Sequence, residues 1–171
     1  MVAQLNSASN DAHKVIVHKF GGSSLATAER FHAVADILLS QPQPTAVVVV
    51  SAPGDTTDHL LDLLAASEND TLFGQLHQQL SSALRLLVSR TLAPANANVA
   101  LDVLSGWLDQ LPTWTKKGAF NDALAVGERL SALLLSQLLL ERGAEAQAID
   151  ARDFLRLDTT SEQNQEVQWQ S

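Results

Sequence analysis

Lys19 and the small residues that follow it form the part of this sequence best suited to binding a phosphate. Lys19 lies near the end of a run of strand-forming residues that begins at Val15, and Gly21, Gly22 and Ser23 come soon after. Because glycine has no side chain, its backbone N–H group can approach a ligand closely. The pattern predicts a strand, a glycine turn and the start of a helix, where N–H groups favour an anion. Lys19 would then supply the positive charge.

The glycine pair also has a purely structural interpretation. Its spacing differs from that of the P-loop, in which four residues separate the glycines and the lysine follows the second. The G-x-G-x-x-G pattern of dinucleotide sites does not occur in the sequence either. A tight turn between a strand and a helix therefore explains Gly21 and Gly22 as well as a phosphate site does, and other segments have to decide.

Ser51 and Thr57 lie in a second loop that follows a strand-like run. The β-branched residues at 45–50 predict a strand buried on both faces and parallel to a first strand at 15–20. Ligands of open parallel sheets bind at the carboxyl ends of the strands, where this loop would lie. The hydroxyl groups of Thr56 or Thr57 fit equally well as caps of the next helix.

Glu128 is a carboxylate inside a long apolar helix that the sequence predicts from Gly118 to Gly143, with Asn121 as its N-cap. The neighbouring Gly127 lowers helix propensity by about 1 kcal/mol relative to alanine. Two interpretations remain open. Glu128 is a surface charge that points outward, or it contacts a substrate while Gly127 admits the ligand or a neighbouring strand.

The remaining periodicities predict the elements that position these groups. They are helices at 25–40 with Ser24 as N-cap, at 58–64, at 71–92 and at 100–111 closed by Pro112, and a third strand at 145–150 in the same sheet. The predicted fold is α/β, three-layer α/β/α with a mostly parallel sheet. We expect a mobile leader at 1–14, an ordered part at 15–157 and a disordered polar tail at 158–171.

Composition excludes several classes of function. The chain has 19 acidic and 11 basic residues and a formal charge of -8, so neither nucleic acid nor an anionic membrane is an expected partner. The absence of cysteine excludes disulfides and thiolate sites, and we expect a cytoplasmic protein without a metal site of its own. The apolar stretch at 130–140 is too short to span a bilayer.

Three segments resemble, in order and spacing, the successive signatures of the aspartate kinases, members of the amino-acid kinase superfamily. The segments are KFGGSSLA at 19–26, VVVVSAPGDTTDHLL at 47–61 and VGERLSALLL at 126–135. The first segment and IDARDFLR, at 149–156, look most like the bifunctional aspartokinase–homoserine dehydrogenases of type II.

The resemblance implies transfer of the γ-phosphoryl group of ATP to the side-chain carboxylate of L-aspartate, the first step toward lysine, threonine and methionine. It implies that Lys19 stabilises the transferring group and that Gly21, Gly22 and Ser23 hold phosphate oxygens. ATP would be bound with Mg²⁺, and the ligands for both would lie largely outside this chain. Such a transfer needs positioning and charge neutralisation, not a strong base, because the acceptor carboxylate is already ionised.

The resemblance also implies that Ser51, Thr57 and Glu128 hold L-aspartate, with Glu128 on its α-ammonium group. Ser23 stands where most relatives carry threonine, and Asp58 stands where asparagine is more frequent, which adds negative charge near an acidic substrate. Another carboxylate acceptor, such as glutamate, would fit the same superfamily.

The resembled enzymes have a second half with a glycine-arginine-glycine-serine-aspartate type loop and acidic motifs for nucleotide and magnesium. No such motifs occur in this sequence. We therefore expect residues 15–157 to be the amino-acid-binding part of an aspartate kinase domain, with little or no turnover by itself and with a homo-oligomeric full-length enzyme. The alternative is a non-catalytic binding or assembly module whose leucine-rich helices form an interface.

Overall fold

The computed structural model describes residues 16–42, 47–157 and 167–169. In these ranges the α-helices are α1 (Ala28–Leu39), α2 (Thr56–Ala65), α3 (Asp70–Thr91), α4 (Pro94–Lys116), α5 (Phe120–Leu124) and α6 (Val126–Glu141). The strands are β1 (Val17–Phe20), β2 (Val47–Val50), β3 (Leu155–Leu157) and β4 (Val167–Trp169), and short 3-10 helices span Gly22–Leu25 and Ala151–Asp153.

The first two strands form the parallel pair that the sequence predicts. Val17 is paired with Val47 and Lys19 with Val49, and α1 makes the crossover between the strands. The Ser51 amide donates to the Phe20 carbonyl at 3.1 Å, which continues the pairing beyond the strand ends. The two loops that carry the candidate residues therefore start side by side.

The two faces of this sheet differ. Phe20, Val48 and Val50 are half-buried and pack against the helical core, whereas Val17, Val47 and Val49 are 59%, 46% and 47% exposed. The prediction that the second strand is buried on both faces is therefore wrong, because no described residue covers the valine face.

The predicted third strand at 145–150 is also wrong. Residues 144–150 have no regular secondary structure, and Ile149, the one large apolar side chain among them, is 63% exposed. The rest of this stretch is mainly alanine and polar residues, which bury too little apolar area to hold a strand in the sheet. A turn or short helix after it is confirmed by the 3-10 helix at 151–153.

Two parts of the predicted domain organisation fall largely outside the described residues. The leader at 1–14 lies outside them, as does most of the tail at 158–171. Within that tail, β4 pairs antiparallel with β3, with Leu157 opposite Val167.

The helix starts near the loops differ from the prediction. The glycine turn leads into the 3-10 helix that contains Ser24, and α1 begins only at Ala28, where the Thr27 hydroxyl accepts from the Arg30 amide at 3.4 Å. Ser24 is therefore not its N-cap. The α2 helix begins at Thr56, whose hydroxyl donates to the Pro53 carbonyl, so neither threonine caps it.

Helix α4 continues through Pro112, although the sequence predicts that this proline ends it. Proline has no N–H group, so the Leu108 carbonyl four residues earlier loses its helical donor. The His77 ring of α3 replaces that donor, with Nε2 at 3.0 Å from the Leu108 oxygen. Because a carbonyl only accepts, His77 carries a proton on Nε2.

The predicted helix from Gly118 to Gly143 is divided into α5 and α6 at Ala125. Asn121 lies inside α5 and is not its N-cap. The predicted end at Gly143 is confirmed: its φ is +83°, and its amide donates to the Leu140 carbonyl at 3.0 Å. Glycine is favoured there because other residues rarely adopt positive φ.

Leucines of the three helices α2, α4 and α6 form the centre of the core. Those with less than 2% exposure include Leu60, Leu63, Leu104, Leu108, Leu111, Leu130, Leu134 and Leu138. The stretch Phe120–Glu141 is long and apolar enough to cross a membrane by length and composition alone, and 56% of its most apolar window is buried in the protein. Helix α6 therefore has the burial of a core helix.

Candidate functional site

Three segments meet at the carboxyl ends of β1 and β2. They are the glycine turn at 19–22, the second loop at 51–57 and the first turn of α6 at 126–129, and we call their meeting point the strand-end junction. The Gly54 amide donates to the Gly22 carbonyl at 3.0 Å, and the Ala52 amide donates to Glu128 Oε1 at 3.4 Å. The junction thus joins residues that are far apart in the sequence.

Two glycines let these segments approach one another. A Cβ atom at Gly22 would lie 2.8 Å from the Ala52 oxygen and 3.0 Å from the Gly54 oxygen. A Cβ atom at Gly127 would lie 2.5 Å from the Ala52 Cβ atom and 3.2 Å from Thr56 Cγ2. Packing therefore accounts for the glycine at both positions, and the neighbour that Gly127 admits is the second loop.

Lys19 and Ser23 stand at the exposed side of the glycine turn. The Lys19 ammonium group lies over Gly21, where an added Cβ atom would be 3.7 Å from Nζ. The Ser23 side chain is exposed, and its carbonyl accepts a hydrogen bond from the Arg30 guanidinium, which ties the turn to α1. A cation and a hydroxyl group are thus accessible beside the backbone amides of the turn.

Glu128 is exposed, and the Ala52 amide is its hydrogen-bond donor among the described residues. Glu128 therefore faces solvent, as the surface-charge interpretation predicts, and also contacts the second loop, whereas its contact with a substrate stays a prediction. Ser51 is half-buried at the start of that loop, and Thr57 is exposed in the first turn of α2. No hydrogen bond between described residues joins Thr57 to the glycine turn or to Glu128.

A charged network beside the junction was not predicted from the sequence. Arg152 donates to Asp150 from Nε at 3.0 Å and from Nη2 at 2.6 Å, and to Asp122 of α5 from Nη1 at 2.7 Å. Arg129 of α6 lies 3.5 Å from Asp150, and its guanidinium carbon is 4.2 Å from the centroid of the Trp107 ring. The Asp150 carboxylate also accepts from the Arg152 amide at 3.1 Å. An aspartate two residues before an arginine is the sequence signal for that local turn.

Hydrogen bonds within this network shift its protonation equilibria. The Arg152 guanidinium lowers the pKa of Asp150 from 3.8 to about 2. The same bond raises the pKa of Arg152, whereas burial lowers the pKa of Arg129. Asp150 is therefore ionised over the whole physiological range.

Acidification from about pH 4 to pH 2 is expected to lower the free energy of unfolding by about 1 kcal/mol, because Asp150 becomes protonated. Because its pKa is lower in the folded than in the unfolded chain, the stabilisation is complete above about pH 4 and is lost as the pH falls toward 2. Its side chain is 24% exposed, so solvent reduces the effect.

Urea unfolding of the wild type and of Asp150→Asn at both pH values measures this contribution. The difference in free energy of unfolding between the two proteins should shrink on acidification. A difference that is the same at both pH values would contradict the assignment.

The described residues contain no group of three His, Asp or Glu side chains placed to hold a metal ion. The junction instead contains the Lys19 ammonium, the Arg129 guanidinium, the carboxylates of Asp55 and Glu128, hydroxyl groups and backbone amides. This set is suited to holding a zwitterion and an anion side by side.

Residues 14–170 match the amino acid kinase family over nearly the whole chain. The chain belongs to this family. It is 36% identical over 152 residues to the bifunctional aspartokinase/homoserine dehydrogenase 2 of Escherichia coli (strain K12). It is 31% identical over 144 residues to the chloroplastic aspartokinase 1 of Arabidopsis thaliana. The predicted resemblance to aspartate kinases, and to the bifunctional enzymes in particular, is confirmed.

Solved structures confirm the predicted fold class. The chain superimposes on Escherichia coli aspartokinase III in complex with lysine and aspartate, with a TM-score of 0.75 and 24% identity over 90% of its length. The TM-score is 0.70 for the same enzyme in complex with aspartate and ADP, over 91% of this chain. The fold is thus the α/β fold of the aspartokinases.

The chain spans only a small part of these relatives. It covers 19% of the bifunctional E. coli enzyme and 25% of the Arabidopsis aspartokinase, although 85% and 79% of the chain itself are aligned. It covers 35% of the solved E. coli aspartokinase III chain.

Proposed function

We propose that this chain forms the aspartate-binding half of an aspartate kinase, which transfers the γ-phosphoryl group of ATP to the side-chain carboxylate of L-aspartate. The observation that carries the proposal is the strand-end junction. It joins the loop of Ser51 to Glu128 through the Ala52 amide, beside the turn that carries Lys19. In open parallel sheets, this end of the strands is where ligands bind.

The glycine turn has the groups that phosphoryl transfer requires. Lys19 neutralises charge on the transferring phosphoryl group, while the amides of Gly21 and Gly22 and the hydroxyl of Ser23 bind its oxygens. All four residues lie at the accessible side of the turn or in the turn itself. Escherichia coli aspartokinase III has been solved with ADP and aspartate, in keeping with this pairing of ligands.

The second loop and α6 have the groups that an amino acid requires. Glu128 binds the α-ammonium group of L-aspartate, since its exposed carboxylate keeps acceptor capacity beyond the Ala52 contact. Ser51 and Thr57 donate hydroxyl hydrogen bonds to the carboxylates. In these assignments Glu128 binds the ammonium group of L-aspartate, and Lys19 lies near the carboxylate that reacts.

ATP and Mg²⁺ bind mainly through polypeptide outside this chain. The exposed valine face of the β1–β2 sheet supports this division, because parallel sheets are normally covered on both faces. The chain alone therefore has little or no turnover, and the full-length enzyme is a homo-oligomer working in amino-acid biosynthesis.

Calorimetric titration of the purified chain with L-aspartate tests the proposed half-site. We expect heat of binding with L-aspartate, much less with L-glutamate, and none with Glu128→Gln, which keeps the shape of the side chain but removes its charge. Glu68→Gln, at an exposed position in the turn after α2, is the matched control and should bind normally. A folded chain that binds neither amino acid would contradict the proposal.

A second candidate function is a non-catalytic assembly module. The exposed valines of the sheet favour it, because parallel sheets rarely leave a face uncovered. Self-association of a folded chain that does not bind L-aspartate would support this candidate over the kinase half-site.

A further inference from the structure

Helix α6 is apolar around most of its circumference. Its buried positions include Val126, Leu130, Leu134, Leu135 and Leu138, which do not lie on a single narrow stripe. Such a helix loses less buried apolar area on rotation about its axis than a helix with a single apolar face does. Apolar burial therefore fixes the direction of the side chains in its first turn only loosely, and the close approach of Gly127 to Ala52 restricts that turn from one side.

Arginines with polar partners occur at both ends of this helix. At the carboxyl end, Arg142 donates to Asp36 of α1 and lies 2.6 Å from His32 Nδ1. In the first turn, Arg129 lies against the Trp107 ring of α4 and 3.5 Å from Asp150. Directional polar contacts of this kind can fix a register that apolar packing leaves open.

Asp150, the partner of Arg129, is itself held in place by the backbone and the guanidinium group of Arg152. Asp150 accepts four hydrogen bonds from three N–H groups of Arg152, and Arg152 also donates to Asp122 of α5. The network therefore links the segment after α6 to both helices that flank the break at Ala125. Glu128, one residue before Arg129, is exposed and has one long hydrogen bond, at 3.4 Å.

We propose that Arg129, Asp150 and Arg152 are positioning residues that hold the first turn of α6 and thereby set the Glu128 carboxylate against the Ala52 amide. Arg129 fixes the helix rotation from the side opposite the second loop, and the Asp150–Arg152 pair fixes Arg129. The effect on substrate affinity rests on the proposed aspartate site, whereas the geometry itself does not.

The Ala52 amide resonance of the ¹⁵N-labelled full chain reports this geometry without any ligand. Glu128→Gln defines the resonance position when the carboxylate is removed. Asp150→Asn should move the Ala52 resonance most of the way to that position, and adding Glu128→Gln to Asp150→Asn should then change it little. Arg152→Lys keeps the positive charge but loses the bidentate contact with Asp150, so it should shift the Ala52 resonance less and with the same sign.

Asp36→Asn is the matched control, since it removes the negative charge from the arginine contact at the other end of α6. It should lower the urea midpoint while the Ala52 resonance stays at its wild-type position. If Asp150→Asn and Arg152→Lys also lower the midpoint and leave that resonance unchanged, the network is only structural and the proposal is overturned. Should Asp150→Asn fail to fold, Arg152→Lys alone decides by the same criterion.

Titration with L-aspartate separates this proposal from the proposed function. Where the wild type binds, Asp150→Asn should bind about tenfold more weakly, because the ammonium contact to Glu128 is displaced. If the wild type does not bind L-aspartate but the Ala52 resonance moves as expected, the aspartate site is wrong and the positioning network stands.

Discussion

Gly127→Ala is expected to lower the free energy of unfolding by about 2 kcal/mol and to abolish the proposed binding of L-aspartate. The new Cβ atom would lie 2.5 Å from the Ala52 Cβ atom and 3.3 Å from its Cα atom. Ala52 and Thr56 are buried, so the second loop can yield only by moving as a whole. The gain in helix propensity, about 1 kcal/mol, offsets only part of this clash. Urea unfolding and calorimetric titration measure the two effects.

Gly106→Ala provides the matched control, because it makes the same change inside helix α4. Nothing lies within 4 Å of a Cβ atom at Gly106, so the variant should be more stable than the wild type by about 1 kcal/mol. The two substitutions should thus have opposite signs. If both stabilise the chain, the close approach at Gly127 does not exist in solution.

His77→Ala is expected to lower the free energy of unfolding by about 1–3 kcal/mol. The variant removes the donor to the Leu108 carbonyl, and Leu108 is 1% exposed, so water cannot easily replace the ring. Urea unfolding measures the loss.

Pro112→Ala tests the reason for that loss. Alanine restores an N–H group that can donate to Leu108 within the helix. In the Pro112→Ala background, His77→Ala should therefore cost clearly less than in the wild type, a coupling that a double-mutant cycle measures. Equal costs in both backgrounds would show that His77 acts only through packing.

The parts of the fold that could be predicted depend on contacts between near neighbours in sequence. The β-branched run before Ser51 and the glycine turn after Lys19 indicate two strands and two loops, and the parallel pairing of those strands follows from their single helical crossover. From the residues alone, Glu128 could be either a surface charge or a substrate contact. The resemblance to aspartate kinases added the hypothesis that it contacts the substrate.

The wrong predictions share a dependence on tertiary contacts. Pro112 stays inside α4 because a histidine 35 positions earlier supplies the missing hydrogen bond, which no local pattern reveals. The strand expected at 145–150 does not form, because its alanine and polar residues bury too little apolar area. Asp150, at its end, instead joins a charged network with Arg129 and Arg152. Ser24 and Thr27 are both plausible caps, and only the intervening 3-10 helix selects Thr27.

The contact between Ala52 and Glu128 also has a consequence for the order of events during synthesis. The two residues are 76 positions apart, and a ribosome adding about 5–20 residues per second needs roughly 4–15 s to make the intervening chain. During that interval the glycine turn and the second loop can already pair through Gly22 and Gly54. Glu128 cannot join the junction until α6 has emerged from the ribosome. In a nascent chain whose synthesis stops before residue 128, the Ala52 amide is therefore hydrated instead of bonded to Glu128.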